Sequence, residues 1–415
     1  MNNRLFVACF VLVLSTLSCE KNQDSEYREY LVARPLTVSM EAFLSDPVVI
    51  GPQPIEQSGK IYAYGNYIFV NEPYKGVHII DNSNPEAPVK TGFITIPGNV
   101  DISVKQDYLY ADSLQDLIVL DISDLNNIQQ VSRLKDVLEG NVFWPLEAEI
   151  VETDGWNSES QILVGWQVVS EQRLIAETET DVWRNGIAMA EMAATDSGTG
   201  EGGSMARFKI VDDFLYAVGS HFINVFDISN LELPKALEAV FAGFDIETIF
   251  NQGTHLFLGS KSGMYIYDIT APASPQYISE FQHGTACDPV VVDGDYAYVT
   301  LRGGNECGAT ESGLFVIDIR NIETPELAKS YPLDGPYGLG VKDSQLFVCD
   351  GDSGLRVYDK TDVLNLKELA HFDDVVTYDV IPLATHLLMV GDGMLFQYEY
   401  QDTGLSLLSS ISLKD

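Results

Sequence analysis

Positive charge is scarce in this chain. Its 415 residues hold 24 lysines and arginines against 61 aspartates and glutamates, a net charge of −37. Such a surface repels polyanions, so nucleic acid and anionic lipid headgroups are not expected as partners. Cysteine is also sparse, five residues in all, too few for a fold held together by a dense disulfide framework. The six histidines stand singly, without HxH or HExxH spacing, and no metal centre is expected from them. The glycine-rich run 198–203 lacks the lysine of a phosphate loop, so no nucleotide or other cofactor is expected. After the first twenty residues no apolar run is long enough to span a bilayer. Disorder is excluded as well, because 46% of residues are hydrophobic and 20% charged.

What fills the chain instead is a repeat. Gly313-Leu-Phe-Val-Ile-Asp318 recurs as Gly354-Leu-Arg-Val-Tyr-Asp359, Gly263-Met-Tyr-Ile-Tyr-Asp268, Gly76-Val-His-Ile-Ile-Asp81, Asp116-Leu-Ile-Val-Leu-Asp121 and Phe222-Ile-Asn-Val-Phe-Asp227. Two apolar runs precede each copy and one follows it, and their β-branched and aromatic content between Gly, Asp and Pro reads as four short strands. The closing aspartate is placed to accept from the backbone two residues on, an Asx turn that stops the third strand. Spacing from Asp81 to Asp121 is 40 residues, and from Asp227 to Asp268 and Asp318 to Asp359 it is 41. A four-stranded unit with a period near 40 is the mark of a propeller blade. Units begin near Lys60, Val100, Arg207, Ile246, Cys287, Tyr337 and Tyr378. The expected fold is therefore all-β, a seven-bladed β-propeller of four-stranded antiparallel blades with a long insertion after the second blade.

Leu117-Ile-Val-Leu-Asp121 and its sister copies resemble the LVIVD repeat of bacterial and archaeal cell-surface β-propeller proteins. The resemblance runs from Lys60 to about Glu399. It implies a propeller outside the cell, and it supplies no catalytic residues to carry over.

The N-terminus points to the same address. One arginine, Arg4, precedes an apolar core from Leu5 to Leu14, then Ser15-Thr-Leu-Ser-Cys19. This is the pattern of a secretory signal over residues 1–18. Cys19 resembles a lipidation site, although Thr16 and Leu17 depart from the usual pattern, and an ordinary signal peptide cut nearby is the alternative. Residues 19–34 would then be a tether and 35–415 the propeller. The segment Tyr30 to Ser58 is expected either to pack on the ring or to lend a strand to its closure. In an oxidising envelope, Cys287 and Cys307 are expected to pair and to fasten the glycine-rich loop of the fifth unit. Cys349 is left over as a small buried apolar residue.

The insertion, about 140–206, is the anomaly, because Asp121 to Asp227 spans 106 residues where one unit needs about 40. It holds every tryptophan of the chain: Trp144, Trp156, Trp166 and Trp183. Gln161–Val169 and a run around Ala148–Val151 read as strands, expected to form a long hairpin. The indoles either pack this hairpin on the ring or offer a binding surface for a glycan or protein. The glycine-rich run that follows is either a mobile loop or flexible enough to enter the central channel, carrying Ser204 and Arg207 with it. Asp101, Asp288 and Asp379 lie at the starts of units, where they line a channel mouth or cap turns. Gly351-Asp-Ser-Gly354 has the letters of a protease nucleophile turn and of the start of a calcium loop, but neither the partners of the one nor the later ligands of the other. It is read as a hairpin.

Two functions are compatible with these features. One is a lipid-anchored envelope module, in the outer membrane or at the cell surface, that binds or scaffolds an envelope partner or glycan. The other is a carbohydrate lyase or hydrolase with carboxylates gathered at the propeller axis.

Overall fold

A computed structural model of the chain describes residues 27–56, 58–140, 142, 144–145, 148–154, 156–174, 201–282, 289–302, 312–401 and 404–414. Cys19, Trp183, Cys287, Asp288 and Cys307 lie outside the described residues, as do the signal segment and the glycines at 198 and 200.

The first blade contains the strands Ile61–Tyr64, Tyr67–Glu72, Gly76–Asp81 and Val89–Thr95, paired in sequence order. The same meander recurs six more times, with first strands at Ile102–Lys105, Phe208–Val211, Phe250–Gln252, Val290–Asp293, Leu339–Lys342 and Asp379–Pro382. Each first strand touches the first strand of the next blade, and the seventh touches the first. The described residues therefore form a closed ring of seven blades around an axis lined by first strands. The expected all-β propeller is what the chain builds.

Local chemistry explains why the repeat motif reads as it does. At Gly76, Gly263 and Gly354, φ is positive (143°, 156° and 88°), and a Cβ would come within about 2 Å of the outer-strand carbonyls of Ile94, Phe281 and Phe372. Only glycine fits there. The next residues alternate between the two buried faces of the blade, so Val77, Ile79 and Ile80 are all excluded from water. The closing aspartates make the expected Asx turns. Asp81, Asp121, Asp227, Asp268, Asp318 and Asp359 accept N–H bonds from Ser83, Ser123, Ser229, Thr270, Arg320 and Thr361 at 2.7–3.0 Å. Side-chain hydrogen bonds from the same residues, with these backbone bonds (the backbone bond leading at Asp359), favour the ionised form, and all six carboxyls sit below their ordinary pKa. The outer strand carries one extra residue at the same place in every blade, for example Thr91, Ile278 and Leu369. This bulge twists the one edge that would otherwise offer itself to another chain.

Closure does not exchange strands. The N-terminal strands complete the first blade and the C-terminal strands the seventh. An apolar seam joins them, in which Ile55, Ile61, Ile68 and Val70 meet Ile381, Leu388, Leu395 and Leu413. Full burial of such side chains contributes about 1.5–3 kcal/mol each. A reciprocal amide pair crosses the same seam: Asn82 Nδ2 donates to Gln397 Oε1 at 3.0 Å, and Gln397 Nε2 donates to Asn82 Oδ1 at 2.7 Å.

The N-terminal segment and the insertion make a separate three-stranded sheet. Tyr27–Ser39 is its central strand. It pairs antiparallel with Gln161–Leu174 and parallel with Ile150–Val151. The expected hairpin between Ala148–Val151 and Gln161–Val169 is thus corrected, because the two strands flank a third and do not pair with each other. The boundary of the tether also moves, since residues 27–34 are strand and not stalk. Arg34 joins all three strands through Glu152 at 2.9 Å and Glu171 at 2.6 Å, with Arg173 on the same two carboxylates. The hydrogen bonds from Arg34 and Arg173 hold the Glu171 carboxyl down at about 2. Val49–Ile50 adds to the outer edge of the first blade, and Ile55 N donates to Leu413 O at 2.8 Å, so the segment Tyr30 to Ser58 packs on the ring and reaches its seam without lending a strand to the seventh blade.

Candidate functional site at the mouth of the ring

The insertion returns to the ring through the axis. Glu201–Gly202 pairs antiparallel with Tyr62 and Ala63 on the inner edge of the first blade, and Gly203 N donates to Ile61 O at 3.2 Å. Bulk is not tolerated here, since a Cβ on Gly203 would lie 1.8 Å from Asp379 Oδ2. Ser204 then bridges two blades, with its hydroxyl 3.1 Å from Asp379 Oδ1 while accepting from Leu339 N at 2.6 Å. Of the two expectations for the glycine-rich run, entry into the channel is the one met by its described part.

At the upper end of the axis the repeat sets one residue per blade just before or at the first strand. Lys60, Asp101, Arg207, Pro289 and Gly338 each offer a carbonyl to the second strand, and Asp379 takes the same register in the seventh blade. Lys60 and Asp101 are both nearly sealed from water, and their side chains meet at 3.3 Å. Asp101 also accepts the backbone N–H groups of Arg207 and of Phe208, the latter at 3.1 Å. Arg207 donates its Nε to Val218 O at 3.2 Å. Below them Asp112 accepts from Asn99 Nδ2 at 2.8 Å and from the amides of Val100 and Asp101. Burial pushes the Asp112 carboxyl up to about 6 in spite of those bonds. A cavity of about 10 Å³ touches Asp101, Asp112, Glu139 and Arg207, room for one water and for no substrate. Asp101 thus holds the backbone at Arg207, and Ser204 meets Asp379, in bonds that tie the blades to the axial segment. Among the described residues no cluster of His, Cys, Asp and Glu is placed to hold a metal ion.

The three-stranded sheet caps part of the same face. Gly165 lies against the ring of Tyr74, in the turn between second and third strands of the first blade. Val164 and Phe43 pack on Leu114 in the matching turn of the second blade, and Arg133 donates to Phe43 O at 3.1 Å. The described tryptophans differ in burial. Trp166 is buried with Ala33 and Ala148, Trp156 is half-buried, and Trp144 is 54% exposed, edge-on to Trp166 at 5.3 Å.

The rim of the fifth to seventh blades lies on this face too. Arg302 follows the second strand of the fifth blade, while Tyr337 and Tyr378 precede the first strands of the sixth and seventh. The Arg302 guanidinium lies 4.0 Å from the centre of the Tyr337 ring, and Tyr337 meets Tyr378 edge-on at 5.1 Å. The Gly351–Gly354 turn stands beside this rim as a hairpin. Its Asp350 is held by Arg356 at 2.8 Å, and His371 reaches the carbonyl of Ser353 and not its hydroxyl.

Sequence reasoning passed over Lys60, Asp112, Arg302, Tyr337 and Tyr378 as site residues. Aligning the repeats on the residue before each first strand brings out Lys60 beside Asp101, Arg207 and Asp379.

The model of the LVIVD repeat family matches residues 57–94, 98–135 and 283–332. The chain is a β-propeller that carries LVIVD repeats in three of its units. The matched segments are the first, second and fifth units of the ring described above. Among solved structures, the LVIVD propeller resembles BamB from Moraxella catarrhalis at 9% identity, over 89% of this chain and 98% of that one, with a TM-score of 0.50. It also resembles a functionally unknown protein from Desulfotomaculum acetoxidans at 12% identity, over 86% and 97% of the chains, with a TM-score of 0.51. At such identities the likeness is one of fold. No curated protein matches the LVIVD propeller.

Proposed function

We propose that this protein is a lipid-anchored envelope module that binds a partner or glycan on the capped face of its propeller. The observation that carries this reading is the axial segment: Glu201–Arg207 fills the inner edge of the ring and is bonded to four blades. The described cavity beside the axis, at about 10 Å³, is too small to hold a glycosidic bond between two carboxylates, so the lyase or hydrolase alternative draws no support from it. What the fold offers instead is surface: the cap with its exposed Trp144, and the rim around Tyr337. Propellers use such faces for recognition while the ring serves as a rigid frame. The leader, Cys19 and the acidic composition support anchoring at an envelope membrane through lipid alone.

A photo-reactive amino acid placed at Trp144 or at Leu407 in intact cells tests the face. Cross-links to an envelope component from Trp144 and none from Leu407, on the outer strand of the seventh blade, are expected; the reverse pattern overturns the reading. Cys19→Ser should release the protein from membranes, and unchanged membrane retention would remove the anchor.

A further inference from the structure

Six of the eight described arginines form an ion pair with a carboxylate: Arg28, Arg34, Arg133, Arg173, Arg320 and Arg356. A seventh, Arg207, donates to a backbone carbonyl inside the axis. Arg302 is the exception. Its guanidinium rests on the Tyr337 ring, and its Nε is buried without a hydrogen-bond partner. In a chain with 61 acidic residues, a guanidinium with no carboxylate among the described residues stands apart from the other six. An orphaned buried donor costs about 1–3 kcal/mol, and ligand groups commonly satisfy such donors.

We propose that Arg302, Tyr337 and Tyr378 form a subsite for a uronic acid, the carboxylate-bearing unit of an acidic glycan, on the rim of the propeller. This rests on the binding-face reading above. Stacking on Tyr337 fixes the plane of the guanidinium, and a planar fork held in one orientation pairs bidentately with a carboxylate. Tyr337 and Tyr378 stand at 81° to one another and are both half-buried. Neither hydroxyl bonds another described residue. Their ring faces carry negative quadrupole density, to which the C–H face of a pyranose is complementary. Burial, first of all, raises the Tyr378 hydroxyl above its ordinary pKa and keeps it a donor. A peptide terminus fits less well, because terminal carboxylates are usually gathered by free backbone amides. Here the amides of Tyr337, Gly338 and Tyr378 are already given to Cys349 O, Tyr378 O and Val390 O at 2.7–2.8 Å. The net charge of −37 opposes any long polyanion, nucleic acid and a run of uronic acids alike, so the subsite is one for a single uronic acid, probed with short oligomers. One carboxylate per sugar is the smallest anionic demand that uses the fork.

Isothermal titration of the chain from Glu20 onward with oligogalacturonate, oligoglucuronate, the methyl ester of the first, and a peptide with a free C-terminus tests this. Binding of at least one acidic oligosaccharide is expected, weakened at least tenfold by Arg302→Gln and by methyl esterification. Arg302→Lys should also weaken it, since lysine keeps the charge but loses the fork. The thermal unfolding of Arg302→Gln should stay close to that of the parent, because loss of the contact with Tyr337 is offset by removal of an orphaned buried donor. No binding of either acid, equal binding by Arg302→Gln or by the ester, or binding of the peptide alone overturns the proposal. Persistent cross-links from Trp144 in that event would leave the binding face standing without this ligand.

Discussion

Asp112 shows how a single buried carboxyl registers in stability. Its folded pKa is about 6 against an ordinary 3.8, with burial the leading cause. Its favourable share of stability is complete below about 3.8 and is lost as pH rises through about 6. Asp112→Asn keeps an oxygen for Asn99, Val100 and Asp101 and removes the charge. The variant is expected to exceed the parent in stability at pH 7–8, by on the order of 2–3 kcal/mol, and to lose that advantage towards pH 4. Melting curves at stepped pH check this, and parallel pH profiles for the two proteins would contradict it. At the blade seam, Gln397→Leu strands the Asn82 amide, and a loss of about 1–3 kcal/mol is expected from denaturant midpoints. The turn aspartates were legible because an Asx turn is written in two adjacent positions. The axial network was not: Asp101 finds the amide of Arg207 across 106 residues, and nothing local in either residue announces that partner.

At the scale of elements, the blades and their order were readable from a period near 40, since the four strands of each meander pair in sequence order. The strand at Gln161–Val169 was readable too, from its β-branched content. Its partner was not, because Tyr27–Ser39 lies more than 120 residues away and antiparallel pairing leaves no register signal in sequence. The cap so formed depends on close approach to the ring. A Cβ at Gly165 would stand 2.1 Å from the Tyr74 ring, so Gly165→Val should lift the cap at a cost of about 1–3 kcal/mol. Every tryptophan lies in the insertion. Indole emission should therefore shift to the red and become more quenchable by acrylamide, while the β signature of the ring persists in circular dichroism. Unchanged emission in the variant would show that the cap does not rest on Tyr74.

For the whole molecule, ring and axis are coupled. The seven blades close without sharing a strand, through an apolar seam, an amide pair and bonds from Ile55 N to Leu413 O and from Gln397 and Ser409 to Pro85 O. The axial segment adds bonds from the first blade to the second, sixth and seventh. It thereby ties together blades that the chain order leaves at opposite ends. It also occupies the inner edge of the ring, which on the proposed reading leaves recognition to the capped face. That consequence could be seen only in part from the sequence, where the glycines allowed entry but did not require it. Amide hydrogen exchange over the peptide containing residues 201–207 measures the point directly. If the segment is bonded into the ring, the amides of Gly203, Arg207 and Phe208 exchange as slowly as those of the second strands. Exchange within seconds, at the rate of an exposed loop, would mean an open axis and would return the search for function to the channel.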